Sequence, residues 1–187
     1  MSPLPVADAP PPVLPEPGWT PCQPLPAADA DRSFVSGGTT GRRLRVAYFR
    51  RDADQHLVGR VWFGPETEGP PGHAHGGAVA AALDEALGSA AWAAGHPVVV
   101  ARLTVDFRLM VPLGIDATFD AWVESVDGRK IRTRARLVGA DDQVLAEGHA
   151  ICVTLATEHI EKLRAARARR SSHGRGHDPG HHRKSQA

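Results

Sequence analysis

The chemistry of this chain concentrates in Gly72-His73-Ala74-His75-Gly76-Gly77 and in Asp84-Glu85, seven residues further on. Two adjacent glycines at a helix start leave backbone N–H groups uncovered by Cβ atoms, and first-turn N–H groups have no intrahelical partner. With the helix dipole they make a site for an anion, or for the oxyanion that develops on a carbonyl under attack. Asp84 lies two helical turns beyond Gly77, on the side of Ala80 and Ala81, while Glu85 is rotated by about 100°. Periodicity leaves two readings. Either Asp84 and Glu85 are a solvated acidic pair, or Asp84 points along an apolar stripe beside the Gly76 N–H.

The elements that must position these residues follow from hydrophobic period. LRVAYFRR (44–51) and HLVGRVWFG (56–64) are alternating runs split by Asp52-Ala53-Asp54-Gln55, a hairpin pattern. A Gly/Pro loop (64–77) leads into AVAAALDEALGSAAWAAG (78–95), an Ala- and Leu-rich helix of about five turns closed by Gly95. Four strand-like runs come next, 98–111, 115–126, 130–139 and 144–155, with Asp127-Gly128 as a hairpin turn. Ile131, Thr133, Ala135 and Leu137 alternate with Arg132, Arg134 and Arg136, one face apolar or small and the other basic. The order implies an α+β fold, one long helix packed on a curled antiparallel sheet. One helix does not cover strands of this length, so the free face and edges predict a dimer.

The ends differ in composition. Residues 1–33 are Pro-rich and read as a disordered arm that builds neither ladder nor helix and adds little to a core. Residues 158–187 read as a short basic helix followed by a disordered His/Arg/Gly-rich tail. Deleting 1–30 and 172–187 is therefore expected to leave the melting temperature nearly unchanged. His173, His177, His181 and His182 could take up a transition metal adventitiously, but the intervening Gly and Pro preclude a preformed site. The 22 Lys and Arg balance 21 Asp and Glu, which argues against a nucleic-acid binder. Two Cys exclude a disulfide scaffold and a multi-Cys zinc site. The longest apolar stretch, Ala78–Ala94, is broken by Asp84 and Glu85 and does not suit a membrane span; the first residues lack a secretory pattern, which makes the cytoplasm the expected compartment.

The spacing His75-Gly76-Gly77-x6-Asp84 ahead of four strands resembles the hotdog-fold acyl-CoA thioesterases of the PaaI-like group. GHAHGGAVAAALDEALG, ARLTVDFRLMVPLG (101–114) and the Asp-Gly-Arg-Lys turn at 127–130 carry the likeness over about 44–155. It implies a domain at 34–157 with one helix wrapped by five or six antiparallel strands. It also implies a homodimer, or a dimer of dimers, with active sites at the subunit interface. The catalytic carboxylate falls on Asp84, the oxyanion-binding N–H on Gly76 with Gly77 beside it, and a carbonyl-positioning role on His75. The Ser or Thr that family members place on the strand after the helix is Val100 here, and the Asn that many place before HGG is absent. His73 is a substitute for that Asn or simply a solvated loop His. The substrate implied is a fatty or aryl acyl-CoA, with no cofactor and no metal. Arg102, Arg108, Arg129, Lys130 and the arginines of 132–136 are candidates for its phosphates. A hotdog dehydratase or hydratase and a non-catalytic acyl-CoA-binding module are the alternatives.

Overall fold

The structure is a computed structural model that describes residues 10–23, 33–36, 42–140, 142–163 and 165. It divides into two units, Met1–Thr154 and Leu155–Ala187. In the second, residues 157–163 are helical, with Lys162 Nζ 2.6 Å from Glu158 Oε1. The expected tail of 166–187, with its histidines, lies outside the described residues.

Among the described residues, the first unit is one seven-stranded antiparallel sheet, one long helix and a short 3-10 turn at Pro65–Thr67. The strands are β1 (Trp19–Cys22), β2 (Leu44–Arg51), β3 (Leu57–Phe63), β4 (Val98–Phe107), β5 (Asp116–Asp127), β6 (Lys130–Val138) and β7 (Val144–Thr154), and α1 is Gly76–Ala93. Spatial order is β1-β2-β3-β5-β6-β7-β4, so the strand after the helix crosses to the far edge. The hairpins at 52–56 and 128–129 form as the sequence predicts, and Gly128 takes the left-handed φ of +55° that the tight turn demands. The β6 alternation also holds: Ile131, Thr133, Ala135 and Leu137 are buried, and Arg132, Arg134 and Arg136 are exposed. The inward sheet face packs on Val79, Ala82, Leu83, Ala86, Leu87, Ala90 and Ala91, the apolar stripe of α1.

Seven strands replace the expected five or six, because part of the Pro-rich arm does build a ladder. Trp19–Cys22 pairs with Arg51–Tyr48 of β2 as an edge strand, where the missing N–H of Pro21 costs little. Trp19 stacks obliquely on Phe49, with centroids 5.6 Å apart. Arg45, buried, donates to the Pro11 carbonyl at 2.9 Å, and Arg60 Nη2 lies 3.2 Å from Glu16 Oε1. The expectation that residues 1–30 add little to the domain is revised accordingly. The helix also starts at Gly76 rather than at Ala78, for a reason that lies in the site.

Candidate active site at the helix start

The loop before α1 is pinned from both sides. His75 N donates to Thr67 O (2.7 Å), Ala74 N to Val111 O (2.8 Å) and Leu113 N to Gly72 O (3.0 Å). Gly72 N also donates to Glu68 Oε1 (2.8 Å). His75 is the N-cap: its Nδ1 accepts from Gly77 N at 2.9 Å, and its carbonyl accepts from Ala78 N and Val79 N. An imidazole can therefore play the part usually taken by Ser, Asp or Asn, and it extends the helix back to the glycines. A Cβ on Gly77 would stand 2.9 Å from that Nδ1, so the second glycine is what lets the ring fold over the helix end.

With these bonds made, the Gly76 N–H is the one first-turn donor without an acceptor among the described residues. It lies at the positive end of an 18-residue helix. The N–H of Gly77, expected to share the work, is occupied by the cap. Nδ1 of His75 accepts a bond, so a neutral ring carries its proton on Nε2 and offers it as a donor. His73 is the opposite tautomer. Its Nδ1 lies 2.8 Å from the Pro71 carbonyl, which only accepts, so Nε2 of the neutral ring is an acceptor. His73 is half-buried, and its backbone forms a β-bridge with Pro112.

Asp84 lies on the helix face of Gly77 and Ala81, exposed in the single chain. Partial burial, and secondarily the Glu85 charge, hold its carboxyl above the usual range. Glu85 is half-buried and turned to the sheet, where Oε1 accepts from Tyr48 Oη (2.5 Å) and Oε2 from Ser33 Oγ (3.1 Å). Neither reading holds: Asp84 is exposed and lies off the apolar stripe that packs on the sheet, while Glu85 is half-buried against β2. Burial, with the Glu85 charge and hydrogen bond adding to it, holds the Tyr48 phenol well above its usual range, so it stays a donor.

Of the remaining expected residues, the structure brings Arg108 to Gly76 but not Val100, Arg102, Arg129 or Lys130. Val100 is half-buried against α1, 3.5 Å from where a Gly88 Cβ would stand, and the β-bulge at Ala101 follows it. Arg102 is exposed and shares a separate surface hollow with Arg132 and His149. Phe107 rests on Gly76 and pairs through Ala146 with Leu137, whereas Lys130 is seven residues along β6, about 23 Å away. Arg129 and Lys130 therefore cannot serve the Gly76 of their own chain. Arg108 can: with Gly76, Phe107 and Met110 it lines a 290 Å³ cleft, its guanidinium 2.8 Å from Glu147 Oε2. Sequence missed Glu85 as a partner of Tyr48. Its one signal was that the chain's only Tyr falls in an alternating strand. Among the described residues there is no metal-binding cluster, and no helix is long and apolar enough to cross a membrane.

Comparison with known proteins bears on the fold. Residues 71–146 match the family described as the thioesterase superfamily. Acyl-coenzyme A thioesterase THEM4 of Xenopus laevis is 31% identical over 137 residues, 65% of this chain and 62% of that protein. Acyl-coenzyme A thioesterase THEM5 of Mus musculus is 33% identical over 119 residues, 63% of this chain and 48% of that one. The matched part thus spans between about half and three-fifths of these relatives. A crystal structure of a thioesterase superfamily protein superposes with a TM-score of 0.57 at 32% identity, covering 64% of this chain and 58% of that one. Residues 71–146 thus resemble the thioesterase superfamily, and the single long helix wrapped by the antiparallel sheet is a hotdog fold.

Proposed function

We propose that the domain hydrolyses acyl-CoA thioesters to a free acid and CoA, working as a homodimer. The observation that carries this reading is the unpartnered Gly76 N–H at the head of α1 with Asp84 two turns along. The thioester oxygen accepts from that N–H. Water adds to the carbonyl carbon as Asp84 takes its proton, the tetrahedral oxyanion rests on the helix terminus, and collapse expels the CoA sulfur, which takes the proton back. The Nε2–H of His75 is a second donor for the substrate, and Arg108 is a cation for CoA phosphates. Gly76 and Asp84 are eight residues apart, an axial rise of about 12 Å.

The dimer is supported by β4, an edge strand of ten residues on which Val99 and Phe107 are more than half exposed, with exposed Leu109 and Met110 following. Such an edge pairs with another chain unless it is blocked. A second copy would also cover Asp84 and could bring its own Arg129 and Lys130 to this site. Light scattering is expected to give twice 19.9 kDa, and Val99→Lys/Ala101→Lys should return the monomer mass. A monomeric native protein overturns the dimer.

The decisive experiment is a panel of acyl-CoAs with a thiol reagent. Hydrolysis releases free CoA thiol, hydration of an enoyl group does not, and a binding module saturates without release. Val100, aliphatic and packed on the helix, is the observation on the side of the last outcome.

The base must be ionised to act, so kcat/KM should rise with pH through the Asp84 pKa, which lies above the usual carboxylate range. Glu85→Gln removes a charge that raises that pKa. The acidic limb should move to lower pH, with less than about tenfold loss at the plateau. A limb that stays in place would show that Glu85 does not act on the base.

A further inference from the structure

The helix start lies between two hollows. One is the Gly76 cleft with Arg108. The other, of 450 Å³, opens on the His75–Gly77 side and is lined by Phe34, Leu44, Ala78 and Ala81. A thioester bound at Gly76 has two arms that must leave in different directions. The second hollow carries Glu66 and Glu68 against a single cation, Arg43, a rim that repels the phosphates of CoA and leaves the apolar arm as the occupant. Its helical floor, Gly77, Ala78 and Ala81, has no side chain longer than a methyl group.

Its wall comes from outside the family-matched segment. Residues 33–36 form a turn held to α1: Ser33 Oγ donates to Glu85, Ser36 N and Oγ donate to Ser33 Oγ (3.1 and 2.8 Å), and Val35 is buried. Between these anchors Phe34 is 85% exposed, with its ring on the hollow. We propose that this hollow receives the acyl chain of a fatty acyl-CoA and that Phe34 is a specificity-determining residue that closes on the chain. The assignment rests on the thioester reading of Gly76, which lines the first cleft and is the immediate neighbour of His75 and Gly77 on the lining of the second. A hollow of this size with an apolar floor beneath its charged rim suits a chain of many methylenes better than an acetyl group.

The test uses hydrolysis-resistant S-(2-oxoalkyl)-CoA analogues of rising chain length, titrated calorimetrically. In the native protein Kd should tighten by up to about fourfold per added methylene until the tail reaches Phe34. Phe34→Asp should reduce the gain from a butyl to a dodecyl analogue at least tenfold. Ala81→Leu, which fills the floor, should do so independently. A chain-length series that moves less than twofold in both variants overturns the proposal. So does a change of mass by light scattering in Phe34→Asp, which would mean that a second copy covers the ring. Thiol release by the native protein is read separately: its absence rejects hydrolysis, while the binding series still decides the pocket.

Discussion

Replacing Asp84 by Asn should lower kcat for a good acyl-CoA by about 10²–10⁴-fold, the range that a positioned general base supplies. KM should change little, because the Gly76 N–H, the His75 donor and Arg108 are untouched. The same substitution should stabilise the protein at neutral pH. Asp84 has a folded-state pKa above its unfolded value, so its proton is bound more tightly by the folded state. The associated stability is present below the unfolded pKa and lost as pH rises through the folded one. At pH 7 the charge is therefore a net cost, and Asn removes it; the gain in Tm, small because the side chain is exposed, should vanish as pH falls below the unfolded pKa. Glu85→Gln is the control at the adjacent position. If it proves crippling while Asp84→Asn stays active, the catalytic role belongs to the wrong carboxylate. If Asp84→Asn falls in rate and also in Tm at neutral pH, the loss reflects packing and not the base.

The order of elements was legible because each carries a clean local signal. The β6 alternation, the Asp127-Gly128 turn and the Ala/Leu helix depend on neighbours in sequence. What was not legible depends on partners far along the chain. The helix start moved to Gly76 because an imidazole caps it, and His is not among the residues that composition marks as a cap. Trp19–Cys22 became a strand because β2 offered an open edge and Trp19 found Phe49, which outweighed the prolines around it. Glu85, read as merely turned away from Asp84, is tied to Tyr48 on β2 and to Ser33. Arg129 and Lys130 have suitable chemistry, yet strand register sets them at the opposite end of β6 from Gly76. The HGG-x6-Asp spacing survived because a single helix fixes the relation of its residues whatever the sheet does.

The largest effect expected on stability is at Asp116, at the start of β5. Its carboxylate holds two arginines: Oδ1 is 3.0 Å from Arg45 Nη2 and Oδ2 is 3.0 Å from Arg60 Nη1. Arg60 is partly open to water and also meets Glu16, so it can turn outwards. Arg45 cannot. It is buried in β2, burial lowers its pKa, and Asp116 is the charge that offsets that cost. Among the described residues its Nε has no partner and its remaining bond is to the Pro11 carbonyl. Asp116→Ala would leave a buried cation uncompensated, which costs about 3–5 kcal/mol and should lower Tm by ~10 °C. The compensating variant Arg45→Met/Asp116→Leu should recover most of the loss, because a packed apolar pair can replace a buried ion pair of similar volume. Recovery in the double variant assigns the cost to the stranded charge. A loss that persists there would assign it to Arg60 and the docking of residues 11–16, and equal stability of Asp116→Ala and the native protein would show that water reaches Arg45 after all.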